Sequence, residues 1–206
     1  MADDLMLVDV PEGELDGIRV ERFEVKRDDL ANFRLARDGR SCRPGTYTKL
    51  IRDGHLWMSD TTAEQQDHMP AYRQMKIQVA RRVIINGLGL GMIVKAALSL
   101  EHVEHVDIVE IDPRVVALVG PHYTRDPRVI IHTADAYAQA KAWAPGTRWD
   151  VGWSDIWGTI STDALVSMTK LRRAYGGRCI WHDCWGRAQL LAIRERDNRQ
   201  RVGWRW

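Results

Sequence analysis

From Arg81 onward, apolar residues come in short runs separated by stretches of helical periodicity. The runs are RVIIN (82–86), VDIVEI (106–111), RVIIH (128–132), WDVGWS (149–154) and RCIWHD (178–183). Runs this apolar predict strands buried on both faces rather than strands with one wet side. Between them, residues 91–101, 113–119, 135–143 and 162–175 predict helices, with a last one over 186–197. Strands alternating with helices imply a parallel sheet covered on both sides. The expected fold is therefore α/β, a doubly wound, mainly parallel sheet of order 3-2-1-4-5, with its ligand at the C-terminal ends of the strands.

Upstream the pattern is less regular. GIRVERFEV (17–25) alternates unevenly and predicts an edge strand, while RDDLANFRLARDG (27–39) has an aspartate cap and a terminal glycine, as a short helix would. In TYTKLIRDGHLWMSD (46–60) two strand-like runs flank Asp53-Gly54, a dipeptide that accepts positive φ in a type I′ turn. Thr61 and Glu64 stand at capping-box spacing, so residues 62–75 predict a helix, broken or kinked near Pro70. Residues 1–78 thus read as an α+β hairpin appendage and 79–206 as the sheet domain.

Composition narrows the class without choosing a function. The 206 residues are 45% hydrophobic and 28% charged with a formal charge of +2, as in an ordinary globular protein. A balance so near neutral gives no global reason to expect nucleic acid or a membrane surface. Cys42, Cys179 and Cys184 include no C-x-x-C pair, so neither a disulfide framework nor a zinc ribbon is expected, and a reducing cytoplasm suits them. The N-terminus lacks the order of a secretory signal, and Asn86, Lys95 and the loop glycines interrupt the apolar stretch Val83 to Leu100, so no membrane span is expected.

Candidate chemistry begins where the first strand ends. Gly87, Gly89 and Gly91 open a helix, a place where backbone can approach a ligand. A dinucleotide fingerprint needs glycine or alanine at its sixth position, and Met92 stands there. Glycines at such a turn also serve close packing alone, so the loop by itself leaves both readings open. Glu110 ends the second strand, placed to accept hydrogen bonds from a ribose diol. Asp112-Pro113 reads as a helix cap and first turn. Asp135, after the third strand, suits either an adenine amino group or a plain N-cap, with the Ala136 N–H beside it.

Taken together, RRVIINGLGLG, VDIVEIDPRVV, DPRVIIHTADAYA and WDVGWSD resemble the class I S-adenosylmethionine-dependent methyltransferases, and within them the spermidine-synthase-like branch. The resemblance covers roughly residues 46–183. It implies S-adenosylmethionine as cofactor, held by Asn86, Gly87, Gly89, Gly91, Glu110, Ile111, Asp135, Ala136 and Asp155, with chemistry at Asp155. The Asp53-Gly54 hairpin resembles the one that covers the substrate in aminopropyltransferases. Three positions depart from the pattern. Ile85 replaces an acid before the glycines, Gly158 a second acid three residues past Asp155, and Trp57 a hairpin glutamine. Little sequence follows the fifth strand, so the family's late strands are expected to be truncated.

Asp155 and Asp183 end adjacent predicted strands and are expected to face one crevice as the catalytic pair. Asp155 suits a general base for an amine or hydroxyl acceptor; alternatively the two carboxylates suit Mg²⁺, although Cys184 is a poor oxygen-ligand match. The turn Ser154-Asp155-Ile156-Trp157-Gly158 lacks the proline-rich and Pro-Cys signatures of base methylation, so a small-molecule acceptor is expected and nucleic acid is not. The arginines of the tail, broken by Glu195 and Asp197, read as a solvated helix face. Trp57, Trp153, Trp157, Trp181 and Trp185 are expected near the crevice, as aromatic walls or as core. His182 reads as a satisfied strand-end histidine. The competing class is a non-catalytic binding or regulatory protein with this fold, whose exposed edge beside the fifth strand would serve a partner or a homodimer.

Overall fold

The computed structural model describes residues 5–26, 42–158 and 161–203. The helix expected over 27–39 lies outside them. Four antiparallel strands, β1 (Gly13–Leu15), β2 (Ile18–Val25), β3 (Gly45–Arg52) and β4 (His55–Ser59), pair in chain order. Both tight turns are Asp-Gly with positive φ at each residue: 46° and 83° at Asp16-Gly17, 51° and 81° at Asp53-Gly54. Such angles match the twist of the flanking strands and explain the dipeptide. β2 is an inner strand, paired along its length with β3 and at its start with β1, not the edge strand its alternation predicts. The two turns meet, since Asp53 N–H donates to the Gly17 carbonyl at 2.8 Å.

Helix α1 (Thr62–Ile77) runs through Pro70 without interruption, where a break or kink is expected from the sequence. The capping box does not form. Glu64 instead accepts from the Ser59 N–H (3.0 Å) and hydroxyl (2.8 Å), tying the helix start to the end of β4.

The second sheet has order β7-β6-β5-β8-β9, and each neighbouring pair of strands in it is parallel. Its strands are β5 (Arg82–Asn86), β6 (His105–Glu110), β7 (Val129–Thr133), β8 (Trp149–Ser154) and β9 (Cys179–Cys184). They alternate with α2 (Met92–Leu98), α3 (Pro113–Tyr123), α4 (Ala136–Ala142), α5 (Ala164–Gly176) and α6 (Arg187–Gly203). Counted in chain order this is 3-2-1-4-5. The strands feed two cores. Val83, Ile85, Val106, Ile108 and Val151 pack with Ile18, Val20 and Leu50 of the first sheet and with Ala71 and Met75 of α1. Ile84, Val109 and Trp149 pack on the opposite face with Leu171 and Tyr175 of α5. The hairpin sheet and α1 are thus built into one core with the parallel sheet.

A charged side chain is buried on the second face. Asp107 accepts from the Trp149 indole N–H (2.8 Å) and lies 2.8 and 2.9 Å from His105 and His132 Nε2. Removing the carboxylate strands a buried indole donor, so Asp107→Ala is expected to cost roughly 3 kcal/mol in urea unfolding. A loss below about 1 kcal/mol would show that the network contributes little.

Among the described residues no helix is long and apolar enough to cross a membrane.

Candidate functional site

The turn after β5 is shaped by its own packing. Gly87, Gly89 and Gly91 have φ of 99°, 50° and 77°, angles that glycine adopts without cost. A Cβ would collide with the Asp155 carbonyl at Gly87, the Met58 thioether at Gly89 and the Tyr123 ring at Gly91. Several loop donors are already engaged: Gly87 N–H to the Val109 carbonyl, Leu88 N–H to Glu110, Leu90 N–H to Met58 Sδ and Gly91 N–H to the Leu88 carbonyl. Thus β4 rests directly on the glycine loop through Met58.

Beside this loop lies a cavity of about 300 Å³. Gly87, Gly89, Glu110, Ile111, Asp135, Ala136 and Asp155 of the expected site line it. Three expected residues are placed elsewhere. Asn86 is 0% exposed, its amide donating to Ser154 Oγ at 2.8 Å beneath the loop. Gly91 is packed against Tyr123. Asp183 lies 3.3 Å from Arg172 Nε and 3.6 Å from Arg187, so it is held by two guanidinium groups instead of facing the cavity with Asp155. Among the described residues no cluster of three or more His, Cys, Asp or Glu is arranged to hold a metal.

Glu110 is oriented by backbone. One carboxylate oxygen accepts from Leu88 N–H (2.8 Å) and the other from Asp112 N–H (2.9 Å). Each oxygen keeps a second lone pair for a hydroxyl. Ile111 beside it is apolar and 61% exposed. Asp135 does form the N-cap of α4, accepting from Ala138 N–H at 2.8 Å, while also lining the cavity. A carboxylate aimed by two backbone donors, an apolar wall and a helix start next to an acid form a donor set suited to a nucleoside.

Asp155 follows β8 directly, its N–H donating to the Asn86 carbonyl at 2.8 Å. Its side chain is 23% exposed. Withdrawal from water, then repulsion from Glu64, Asp67 and Glu110, pushes its pKa up to about 7. A histidine that sequence reasoning passed over faces it: His68 Nε2 lies 3.6 Å from Asp155 Oδ2. Burial pushes the His68 pKa down to about 4. The available signal was its register on α1, three and seven residues before buried Ala71 and Met75.

The five tryptophans expected near the crevice divide into two groups. Trp57, Trp157 and Trp185 line the cavity. Trp153 and Trp181 stack 6.1 Å apart below it, Trp153 as core. The Trp57 ring lies under Arg52 at 4.9 Å and against Gly158, where a Cβ would come within 2.9 Å of it. Two departures from the aminopropyltransferase pattern are therefore in contact, the indole filling the space that a side chain at 158 would need. His182 is satisfied on one side only: Nε2 lies 2.9 Å from Ser154 Oγ and Nδ1 has no partner.

A 3-2-1-4-5 parallel sheet with a glycine turn after its central strand, covered by a hairpin sheet, is a fold that this chain shares with spermidine synthase. Spermidine synthase from Thermotoga maritima superposes with a TM-score of 0.51 at 19% identity, over 82% of this chain and 53% of that one. A polyamine aminopropyltransferase from a Synechococcus species is 33% identical over 54% of this chain and 39% of its own length. Polyamine aminopropyltransferase 2 from Ralstonia nicotianae is 36% identical over 29% of this chain and 14% of its own. These curated relatives are each matched over less than two thirds of their length. No protein-family model matches the chain.

Proposed function

We propose that this protein transfers a methyl group from S-adenosylmethionine to an amine or hydroxyl of a small molecule, with Asp155 as general base. The observation that carries this reading is Asp155 itself, a carboxylate with a pKa pushed up to about 7 on the same cavity as Glu110 and the glycine loop. A base titrating near the working pH is both available and able to hold a proton. In this reading Glu110 holds the ribose, with Ile111, Asp135 and Ala136 around the adenine. The cofactor supplies an electrophilic methyl group on sulfur. Asp155 receives the proton that the acceptor loses, and Trp57, Trp157 and Trp185 exclude water from that corner. Residues 1–78 would then cover the site and residues 79–206 bind the cofactor.

Aminopropyl transfer from the decarboxylated cofactor is a second reading, favoured by the names of the two aligned relatives. Assays with both donors separate the two. Isothermal calorimetry tests what they share. S-adenosylmethionine or S-adenosylhomocysteine should bind and a nicotinamide dinucleotide should not. Glu110→Gln should weaken adenosyl binding by about tenfold to a hundredfold, the scale of a charge-assisted hydrogen bond. Heat from the dinucleotide alone would overturn the cofactor assignment. No response to any of the three would favour the non-catalytic reading.

A further inference from the structure

Behind Asp155 the side chains form a line: Trp153 Nε1 lies 3.1 Å from His68 Nδ1, and His68 Nε2 lies 3.6 Å from Asp155 Oδ2. An indole N–H only donates. His68 Nδ1 must therefore carry a lone pair, and the proton of the neutral ring sits on Nε2, facing the carboxylate. Adding a proton at Nδ1 would set two hydrogens against each other. His68 is only 4% exposed, so water cannot take over from the indole.

We propose that His68 is a positioning residue, locked by Trp153 as the neutral Nε2–H tautomer so that it steadies the Asp155 carboxylate without becoming a cation beside it. The inference rests on the reading of Asp155 as general base. An imidazolium at this distance would form an ion pair with Asp155 and weaken it as a base. A neutral N–H facing Oδ2 from 3.6 Å, longer than a direct hydrogen bond, orients the carboxylate by dipolar attraction and leaves the other oxygen for the acceptor's proton. The affinity of the carboxylate for that proton is then set first by its withdrawal from water and then by its acidic surroundings, Glu64 and Asp67 on α1 and Glu110 at the end of β6.

Asp155 can be titrated without knowing the acceptor, through its carboxyl carbon resonance, assigned by its loss in Asp155→Asn. Trp153→Phe frees Nδ1 to accept a proton and should lower the Asp155 midpoint by about one pH unit. His68→Phe removes the N–H donor and should raise it by a similar amount. A purely structural role for either ring predicts no such opposition of sign. In the parent protein, long-range proton–nitrogen spectra should show the Nε2–H tautomer from roughly pH 5 to 8. These spectra decide the question even where a variant fails to fold. A proton on Nδ1, an imidazolium above roughly pH 6, or two folded variants that shift Asp155 in the same direction or not at all would overturn the proposal. Turnover that survives Asp155→Asn would remove the general-base reading and leave the titration results standing.

Discussion

Asp155→Asn is expected to lower turnover by about a hundredfold or more while S-adenosylmethionine affinity stays nearly unchanged, the usual scale for loss of a general base. Asparagine keeps the shape of the side chain and its place after β8, but it cannot take up the acceptor's proton. The same substitution should raise stability at neutral and alkaline pH. The Asp155 pKa is raised from 3.8 to about 7 on folding, so the native state binds more protons than the unfolded chain between those values. Stability associated with this group is therefore fullest below about pH 4 and declines as pH rises towards 7. Thermal melts should show asparagine gaining on aspartate through that window, with the advantage gone near pH 4. Unchanged turnover would mean that positioning alone drives transfer, and an advantage that grew towards acid pH would contradict the raised pKa.

Gly87→Ala is expected to cost at least about 3 kcal/mol and to weaken adenosyl binding and turnover together. Two penalties coincide there. The φ of 99° disfavours any side chain, and the new methyl would strike the carbonyl of Asp155, which is backbone and cannot swing aside. Displacing that peptide moves the candidate base and strains the hydrogen bond from Asp155 N–H to the Asn86 carbonyl. Gly146 provides the control, with a φ of 87° and nothing within 4 Å of its would-be Cβ. Gly146→Ala should cost only about 1 to 2 kcal/mol. Urea unfolding of the two variants separates the strain of the angle from the collision, and equal losses would show that the collision relaxes freely.

The parallel sheet was legible because its strands are apolar on both faces. Such segments as RVIIN and WDVGWS have no wet side that would confuse their period, and they end where β5 and β8 end. β2 was misjudged for the opposite reason. Its burial alternates with half-exposed positions, and the partner that makes it an inner strand is the three-residue β1. The Asp16-Gly17 turn between them was nevertheless written in the same dipeptide as the hairpin turn at Asp53-Gly54. In the site, residues close to a strand end in sequence were placed readily, as Glu110 and Asp155 were. Asp183 also follows that rule, yet Arg172 and Arg187 claim its carboxylate. The spacing of Asp183 to Arg187 was visible, whereas the approach of Arg172 depends on how α5 packs on β9. His68, Arg52 and Met58 reach the cavity from the first sheet and α1, and no local pattern says which face of a hairpin or helix will meet a site about a hundred residues away.

Asn86 and Ser154, joined by a side-chain hydrogen bond beneath the glycine loop, are 68 residues apart in the chain. During synthesis, β5, β6 and β7 all leave the ribosome before the segment that carries Asp155. A nascent chain at that stage already possesses the glycine turn, Glu110 and Asp135, but the strand that presents the candidate base does not yet exist. Closing so long a loop carries an entropic cost that only the docked β8 strand offsets. The groups suited to recognising a nucleoside are therefore made first, and the group suited to moving a proton comes last.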